Sequence, residues 1–223
     1  MKRLIVSDTH IGSRFCRKEE LLSLLKSTKY DQLILNGDIV EFLKVPTFAP
    51  IVMEIVRNID LTKEIIYIIG NHDISLSGFI GEQFRNVKFM DEYCFEEGGR
   101  KFRVEHGDKY EKGIIHHRIL MKIISAFQDA LELIFGWNLS KWYANLKFNK
   151  RKIARLWDIM ELNNDVDVLI VGHTHVPEVL IWIDEEEEIK TYVNTGDWVS
   201  HATYVEIEDG VIRLRNFLKK DKL

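Results

Sequence analysis

Five apolar segments of the sequence each run into aspartate, histidine or asparagine beside or near glycine. They read KRLIVSD, YDQLILNGD, KEIIYIIGNHD, RKFRVEHGD and DVDVLIVGHTH. Each has the length and apolar content of a buried strand. In open α/β sheets, ligands bind beyond the carboxyl ends of the strands. The recurrence of polar residues at these ends therefore predicts one shared site built from five strands, and this constrains the fold more than any other feature.

The order of the remaining elements predicts an α/β fold. The leucines of KEELLSLLKS have helical spacing, and FAPIVMEIVRNI predicts a second helix from about Pro50. Two hairpins are predicted near the C-terminus, the second turning at Asp209-Gly210. Strands that alternate with helices and then with hairpins indicate a mixed sheet system.

A helical insertion is predicted at residues 111–160, between core segments 1–110 and 161–223. Its first half carries an apolar stripe at helical spacing, and KWYANLKFNKRKIARLW follows with a basic, aromatic character. The candidate substrate-binding residues of this insertion are Lys147, Lys150, Arg151 and Arg155. Such a stripe more often marks packing on a neighbouring helix or a second subunit than a ligand-binding surface, and the basic run is equally compatible with a solvated face.

Net charge and cysteine spacing exclude some classes of protein. The chain has 223 residues and a net charge of −4, which excludes a general polyanion binder. Cys16 and Cys94 form no CxxC pair and are expected to be free thiols. The N-terminal apolar run is too short for a signal peptide, and we find no stretch of about 18 apolar residues for a transmembrane helix. We therefore expect a cytoplasmic protein.

The polar residues at the five strand ends form a mixed set of candidate metal ligands. They are Asp8, His10, Asp38, Asn71, His106, His173 and His175. Carboxylate, imidazole and amide donors together suit Mn, Fe, Zn or Co better than Ca. They are too many for one tetrahedral zinc and suit two ions that share a bridging carboxylate. In an extended segment His173 and His175 would point to the same side, toward two adjacent ions or one.

The five motifs, in this order, resemble the series of the calcineurin-like metallophosphoesterases. The family series DxH, GDxx(D/E), GNH(D/E), HGD and GHTH stands here as DTH, GDIVE, GNHD, HGD and GHTH. The resemblance spans nearly the whole chain up to about Trp198, apart from the insertion. It implies a four-layer α/β/β/α sandwich that holds two divalent metal ions, which we expect to be Mn, and that hydrolyses phosphoesters.

The resemblance also implies roles for individual residues. One metal would be bound by Asp8, His10 and His175. The second would be bound by Asn71, His106 and His173, with Asp38 bridging the two. His72 would stabilise the phosphate oxygens or protonate the leaving oxygen, and Asp73 would orient His72.

Within the family, the chain is most similar to the UDP-2,3-diacylglucosamine pyrophosphatases of lipid A biosynthesis. The segment VNTGDW resembles their Asn-x-Gly-Asp-Trp segment, and the insertion follows HGD as their lid does. This resemblance implies a nucleotide-lipid substrate and peripheral contact of the insertion with the inner membrane surface. Homo-oligomer formation is also compatible with the apolar stripe.

Two other functions remain open. His72 and Val176 stand where those pyrophosphatases usually carry arginine, which favours a general phosphodiesterase or a nuclease as the alternative. The other is a protein-binding scaffold that retained the fold and lost catalysis. Intact motif residues argue against the scaffold, and metal-dependent turnover of a simple phosphodiester would separate it from the enzymes.

Overall fold

A computed structural model of the chain describes residues 1–41, 59, 62–110 and 151–218, with the backbone alone for 151–155. Its strands form two sheets. In spatial order, the seven-stranded sheet consists of β12 (Val211–Asn216), β11 (Thr203–Glu208), β1 (Lys2–Val6), β2 (Gln32–Asn36), β3 (Glu64–Ile68), β5 (Val87–Met90) and β4 (Gln83–Phe84). The five-stranded sheet consists of β6 (Glu92–Glu97), β7 (Arg100–Glu105), β8 (Val168–Val171), β10 (Ile189–Asn194) and β9 (Glu178–Ile183).

Parallel strands form the centre of each sheet. Strands β1, β2, β3 and β5 are parallel in the larger sheet. Strands β7, β8 and β10 are parallel in the smaller one. The remaining pairs, including the β9–β10 and β11–β12 hairpins, are antiparallel. Parallel pairing brings the carboxyl ends of the central strands to one edge of each sheet. The polar residues that follow these strands can therefore form one shared site, as the sequence predicts.

The two sheets pack face to face and each carries a helix on its outer face. Isoleucine, valine and phenylalanine side chains from both sheets fill the interface between them. Helix α1 (Lys18–Ser27) buries its leucines against the larger sheet, as their spacing predicts. Helix α2 (Arg151–Glu161) packs Leu156 and Met160 against Leu169, Val171 and Tyr192 of the smaller sheet. The predicted α/β/β/α sandwich is confirmed.

Most elements predicted from the sequence are present where they were expected. The five strands, helix α1 and both C-terminal hairpins are confirmed, with a turn at Asp209-Gly210. Strands β4, β5 and β6 and the two short 3₁₀ helices Ile74–Phe79 and Asp108–Tyr110 were not predicted. The helix predicted from about Pro50 lies outside the described residues, apart from Ile59.

The predicted insertion is described only at its C-terminal end. Residues 111–150 lie outside the described residues, and residues 151–161 form helix α2. The domain boundaries therefore stay a prediction. In the described part of the chain, no helix has the length and apolar character needed to cross a membrane. Cys16 and Cys94 are free thiols, as expected.

Candidate metal centre

The predicted ligands converge at the carboxyl ends of strands from both sheets. Asp8 follows β1, Asp38 follows β2 and Asn71 follows β3, all in the larger sheet. The smaller sheet contributes three histidines, which are His106 after β7 and His173 and His175 after β8. Residues distant in the sequence therefore come together at one edge of the sandwich.

Asp8, His10 and His175 form the first of three groups whose side chains could hold a metal ion. The Nε2 atom of His175 lies 3.2 Å from Asp8 Oδ1 and 3.2 Å from His10 Nε2. Asp8 is fully buried, and its carboxylate also accepts a hydrogen bond from the His173 backbone N–H at 3.0 Å. A carboxylate oxygen and two imidazole nitrogens thus point at a common position.

Asp38, His106 and His173 form a second group. His106 Nε2 lies 3.3 Å from Asp38 Oδ2 and 3.3 Å from the side-chain oxygen of Asn71. The rings of His106 and His173 meet edge to face, with centroids 5.2 Å apart. Asn71 therefore adds an amide oxygen beside the three charged or titratable donors.

Asp38 also belongs to the third group, with His10 and His72. Its Oδ2 lies 4.0 Å from His72 Nε2, and its Oδ1 accepts a hydrogen bond of 2.8 Å from the His72 backbone N–H. Asp38 is thus the carboxylate that stands between the candidate ligand groups.

The acids of the centre are held ionised despite their burial. Burial raises the pKa of Asp38, but the neighbouring imidazoles, above all His106, hold it well below its usual range. Burial likewise opposes ionisation of Asp8, and His175 lowers its pKa. Burial disfavours the charged form of His72, yet Asp38 and Glu41 raise its pKa to about 9. Ionised carboxylates, together with imidazoles that would release their protons on binding a metal, offer a mix of oxygen and nitrogen donors that fits a divalent cation.

Five predicted ligands have left-handed backbone conformations. The φ angles are 49° at Asp8, 45° at His10, 52° at Asp38, 64° at His173 and 61° at His175. A non-glycine residue held in this region costs of the order of 1–3 kcal/mol, and such residues cluster at functional sites. The premise that His173 and His175 lie in an extended segment was therefore wrong. Strand β8 ends at Val171, and the two histidines join different groups.

The glycines beside the ligands are needed for close approach of side chains to the backbone. A Cβ at Gly37 would fall on the His106 ring, one at Gly70 on the Asp38 carboxylate, and one at Gly172 on the Asp8 carboxylate. These glycines let carboxylates and imidazoles lie directly against neighbouring strand ends.

Glu41, and not Asp73, contacts the His72 ring. Both Glu41 carboxylate oxygens lie 2.8 Å from His72 Nδ1. The Asp73 carboxylate is instead occupied by the backbone N–H groups of Gly70 (2.6 Å) and Ile39 (3.0 Å) and by the Tyr67 hydroxyl (2.8 Å). The expectation that Asp73 orients His72 was therefore wrong, because Asp73 ties together the loops that follow β2 and β3. Burial, reinforced by the charge of Asp38, raises the pKa of Asp73 to about 7.

Glu41 and Asp197 were not assigned roles from the sequence. Glu41 is the last residue of GDIVE, and Asp197 lies in VNTGDW, so both motifs contained the signal. Asp197 Oδ2 lies 3.4 Å from Nδ1 of His175 and 3.4 Å from Nδ1 of His201. In the same segment, the side-chain amide of Asn194 donates to the Gly172 carbonyl (2.8 Å) and holds the GHTH loop.

The candidate substrate-binding residues of the insertion are not part of this geometry. Lys147 and Lys150 lie outside the described residues, as do the side chains of Arg151 and Arg155. Their proposed contact with substrate stays a prediction.

Comparison with known proteins adds two findings about the fold. The structure resembles the phosphoesterase Yfce of E. coli, with a TM-score of 0.51, 16% identity, and coverage of 99% of this chain and 96% of that one. It also resembles Vps29 of Chaetomium thermophilum, with a TM-score of 0.53, 12% identity, and coverage of 97% and 96%. At such low identity both likenesses concern the fold alone. No curated protein sequence matches the chain significantly.

The sequence profile of calcineurin-like phosphoesterases matches residues 1–177, which is most of the chain and includes the DTH, GDIVE, GNHD, HGD and GHTH motifs. Those motifs carry the side chains that converge in the three candidate metal-binding groups. The chain therefore belongs to the calcineurin-like phosphoesterase family, and this membership supports a hydrolase that acts on phosphoester bonds.

Proposed function

We propose that the protein is a two-metal hydrolase of a phosphodiester or pyrophosphate bond, and that its substrate is a nucleotide lipid of the UDP-diacylglucosamine type. The observation that carries the two-metal proposal is the position of Asp38. This buried, ionised carboxylate belongs to the group with His106 and His173 and to the group with His10 and His72. His10 also belongs to the remaining group, where its ring contacts that of His175.

The ligand residues divide between two positions. Asp8, His10 and His175 would hold one ion, and Asn71, His106 and His173 the other, with Asp38 shared. When bound, divalent ions neutralise the charge of the phosphate and lower the pKa of a water nucleophile. We propose Mn as the bound ion. Fe, Zn and Co are alternatives, because the same donors accept all four metals.

His72 is the side chain proposed to act on the substrate. Its Nδ1 faces Glu41 and its Nε2 faces the centre, 4.0 Å from Asp38 Oδ2. A proton on Nε2 would therefore be directed toward a phosphate or leaving oxygen that lies over the centre. The Asp73 carboxylate supports this arrangement through its hydrogen bonds to Ile39 and Gly70, which hold in place the loops that carry Asp38 and His72.

Metal removal is expected to abolish activity and to lower thermal stability. An ion present at about 100 times its dissociation constant stabilises the folded state by about 2.7 kcal/mol. For a chain of this length that corresponds to a rise in Tm of about 5–10 °C. The Tm, from calorimetry, and the turnover rate would be measured after chelation and again after Mn is restored. Unchanged Tm and activity in chelated, metal-free protein would contradict the proposal.

Two sequence features support the nucleotide-lipid substrate. The VNTGDW segment resembles that of the UDP-diacylglucosamine pyrophosphatases, and the predicted insertion has the apolar, aromatic and basic character that suits an anionic lipid. Peripheral contact with the inner surface of the membrane, in the cytoplasm, would follow from such a substrate. Self-association through the apolar stripe of the insertion is a separate consequence that sedimentation would test.

The substrate proposal is tested by comparing two phosphoesters. Hydrolysis of UDP-diacylglucosamine and of bis-p-nitrophenyl phosphate would be measured with Mn, in the wild type and in His72→Ala. We expect a strong preference for the lipid nucleotide, with UMP released, and a loss of about 10²–10⁴-fold in His72→Ala. Equal turnover of the simple diester, without preference for the lipid, would contradict the lipid substrate.

That second outcome would support the alternative of a general phosphodiesterase or nuclease, which the presence of His72 in GNHD favours. The scaffold alternative also stays open, because Vps29, which is not described as a phosphoesterase, shares the fold. Binding of two metals without turnover of either ester would favour the scaffold and contradict the enzymatic proposal.

A further inference from the structure

We propose that strand β9 is the interface of a homodimer, in which it pairs antiparallel with β9 of a second copy of the chain. The pairing would join the two five-stranded sheets into one. This surface lies outside the candidate metal groups and outside the predicted insertion, which is the other candidate for self-association. The proposal does not depend on the proposed function.

Strand β9 is an unprotected sheet edge. Among the described residues, the strands at sheet edges are β4, β6, β9 and β12. Strand β4 has two residues, β6 carries three glutamates and β12 carries two arginines. Short length and charge are common means of keeping an edge from pairing with another chain. Strand β9 reads EVLIWI, with its one charged residue at the start, and has neither protection.

The β9 edge exposes large apolar side chains on both faces of its sheet. Ile181 and Ile183 are each 68% exposed, although they lie on the inner face, as Val193 of β10 does. On the outer face, Trp182 packs against Trp157 of helix α2, with ring centroids 5.4 Å apart, and Trp157 is itself largely exposed. An exposed apolar surface that continues from a strand to the adjoining helix is typical of a protein–protein interface.

The hydrogen bonds of β10 determine which backbone groups of β9 are directed at the free edge. The backbone N–H of Thr191 donates to the Asp167 carbonyl at 2.8 Å, so Thr191 bonds toward β8. Ile181 lies opposite Thr191. Opposed residues of an antiparallel pair bond either to each other or outward, in alternation along the strands. The N–H and C=O groups of Val179, Ile181 and Ile183 are therefore directed away from β10.

One register of self-pairing uses all of these backbone groups. When a two-fold axis passes through Ile181 perpendicular to the sheet, Ile181 faces the partner's Ile181. Val179 then faces the partner's Ile183, and each such pair exchanges both of its N–H···O bonds. A shift by two residues in one direction would place Pro177, which has no N–H, opposite Ile183. The opposite shift would place Glu185 of the acidic turn opposite Val179.

The same register is favourable for the side chains. Leu180 faces the partner's Trp182, so apolar residues meet on both faces of the joined sheet. Like charges meet only at the two ends, where Glu178 faces the partner's Asp184. In each chain the Asp184 carboxylate lies 3.8 Å from Nζ of Lys190, which reduces this repulsion. Because the pairing occupies both free edges, the assembly closes as a two-fold dimer and does not grow into a filament.

Opposite charges at position 181 test the dimer and its register together. Ile181→Lys and Ile181→Glu each place two like charges opposite each other at the axis, which should weaken the dimer by about 100-fold or more. An equimolar mixture of the two variants places lysine opposite glutamate and should dimerise again. Sedimentation equilibrium over a wide range of concentration would measure the dissociation constants of both variants, their mixture and the wild type, which we expect to be a dimer.

Phe84→Lys is the matched control. Phe84 is also a large exposed apolar residue, and it lies on edge strand β4 of the larger sheet. Phe84→Lys should keep the wild-type dissociation constant, because β4 takes no part in the proposed pairing. Since position 181 is exposed, both charged variants should fold as the wild type does, which circular dichroism would check.

Hydrogen exchange of the wild type, followed by NMR, is a second measurement that needs no variant. In the dimer we expect slow exchange of the N–H groups of Val179, Ile181 and Ile183. Dilution to the monomer should speed exchange at these three positions. The N–H groups of Leu180 and Trp182 are directed at β10 and should exchange slowly in both states. Exchange at Ile181 that is equally fast in dilute and concentrated protein would contradict the pairing.

A wild type that is monomeric at every concentration would overturn the inference, and so would a mixture of the two charged variants that stays monomeric. A dimer that survives in both charged variants would place the interface elsewhere, for example on the predicted insertion, and would also overturn it. None of these measurements uses turnover, so failure of the proposed function would leave their outcomes unchanged.

Discussion

Asp38→Asn is expected to reduce kcat for phosphoester hydrolysis by at least about 10³-fold and to lower the bound metal from the proposed two ions per chain to one or none. Asp38 is the shared carboxylate of the candidate centre, 3.3 Å from His106 Nε2 and 4.0 Å from His72 Nε2. Asparagine keeps the size of the side chain and an oxygen that can accept from the His72 backbone N–H. It removes the negative charge that two adjacent cations require.

The matched control is Asp209→Asn. Asp209 also has a positive φ, of 52°, but it lies in the exposed β11–β12 turn. This variant should keep wild-type kcat and metal content, measured by steady-state kinetics and elemental analysis. If Asp38→Asn retained more than about a tenth of the activity and both ions, Asp38 would not be the bridging ligand.

Trp198→Ala is expected to produce the largest loss of stability, about 3–5 kcal/mol in the free energy of unfolding. The side chain is fully buried in the core between the larger sheet and helix α1, and its ring lies 6.2 Å from that of Phe217. Its backbone N–H donates to the Asp8 carbonyl at 3.1 Å, and its carbonyl accepts from the Arg17 N–H at 2.8 Å. A cavity here would therefore loosen both the core and the Asp8 loop.

Two further variants make this prediction specific. Among the described residues the indole N–H of Trp198 has no hydrogen-bond partner, so Trp198→Phe loses volume alone and should cost about 1–2 kcal/mol. Trp157 is 53% exposed on helix α2, and Trp157→Ala should cost less than about 1 kcal/mol. Urea unfolding would measure all three. Equal costs for Trp198→Ala and Trp157→Ala would refute the assignment of Trp198 to the core.

The convergence of the ligand residues could be predicted because it follows from a short chain of local signals. Each residue comes directly after an apolar run, and parallel strands end at a common edge. The glycines beside Asp38 and His173 were also visible in the sequence. Their role became clear only in three dimensions, where Gly37 and Gly172 make room for the His106 ring and the Asp8 carboxylate.

The contacts of the buried acids could not be predicted because their partners come from separate loops. Asp73 is next to His72 in the sequence, which favoured it as the partner of that ring. Its carboxylate is instead hydrogen-bonded to the backbone N–H groups of Ile39 and Gly70, and Glu41 reaches His72 from the loop after β2.

Strands β4 to β6 were missed for another reason. None of their residues is buried, and the alternation in the two longer strands is short: Val87 and Phe89 in β5, and Tyr93 and Phe95 in β6, are only partly buried against the core.

The left-handed backbone at the ligand histidines bears on how an inactive form of the protein should be made for trapping its substrate. Alanine at position 173 or 175 would remove the imidazole and still carry a Cβ at a φ near 60°. Glycine adopts that conformation without steric cost, so His173→Gly or His175→Gly relieves the backbone while it removes the ligand. For capture of an uncleaved phosphoester, or for crystals of such a complex, glycine is therefore the better replacement at these two positions.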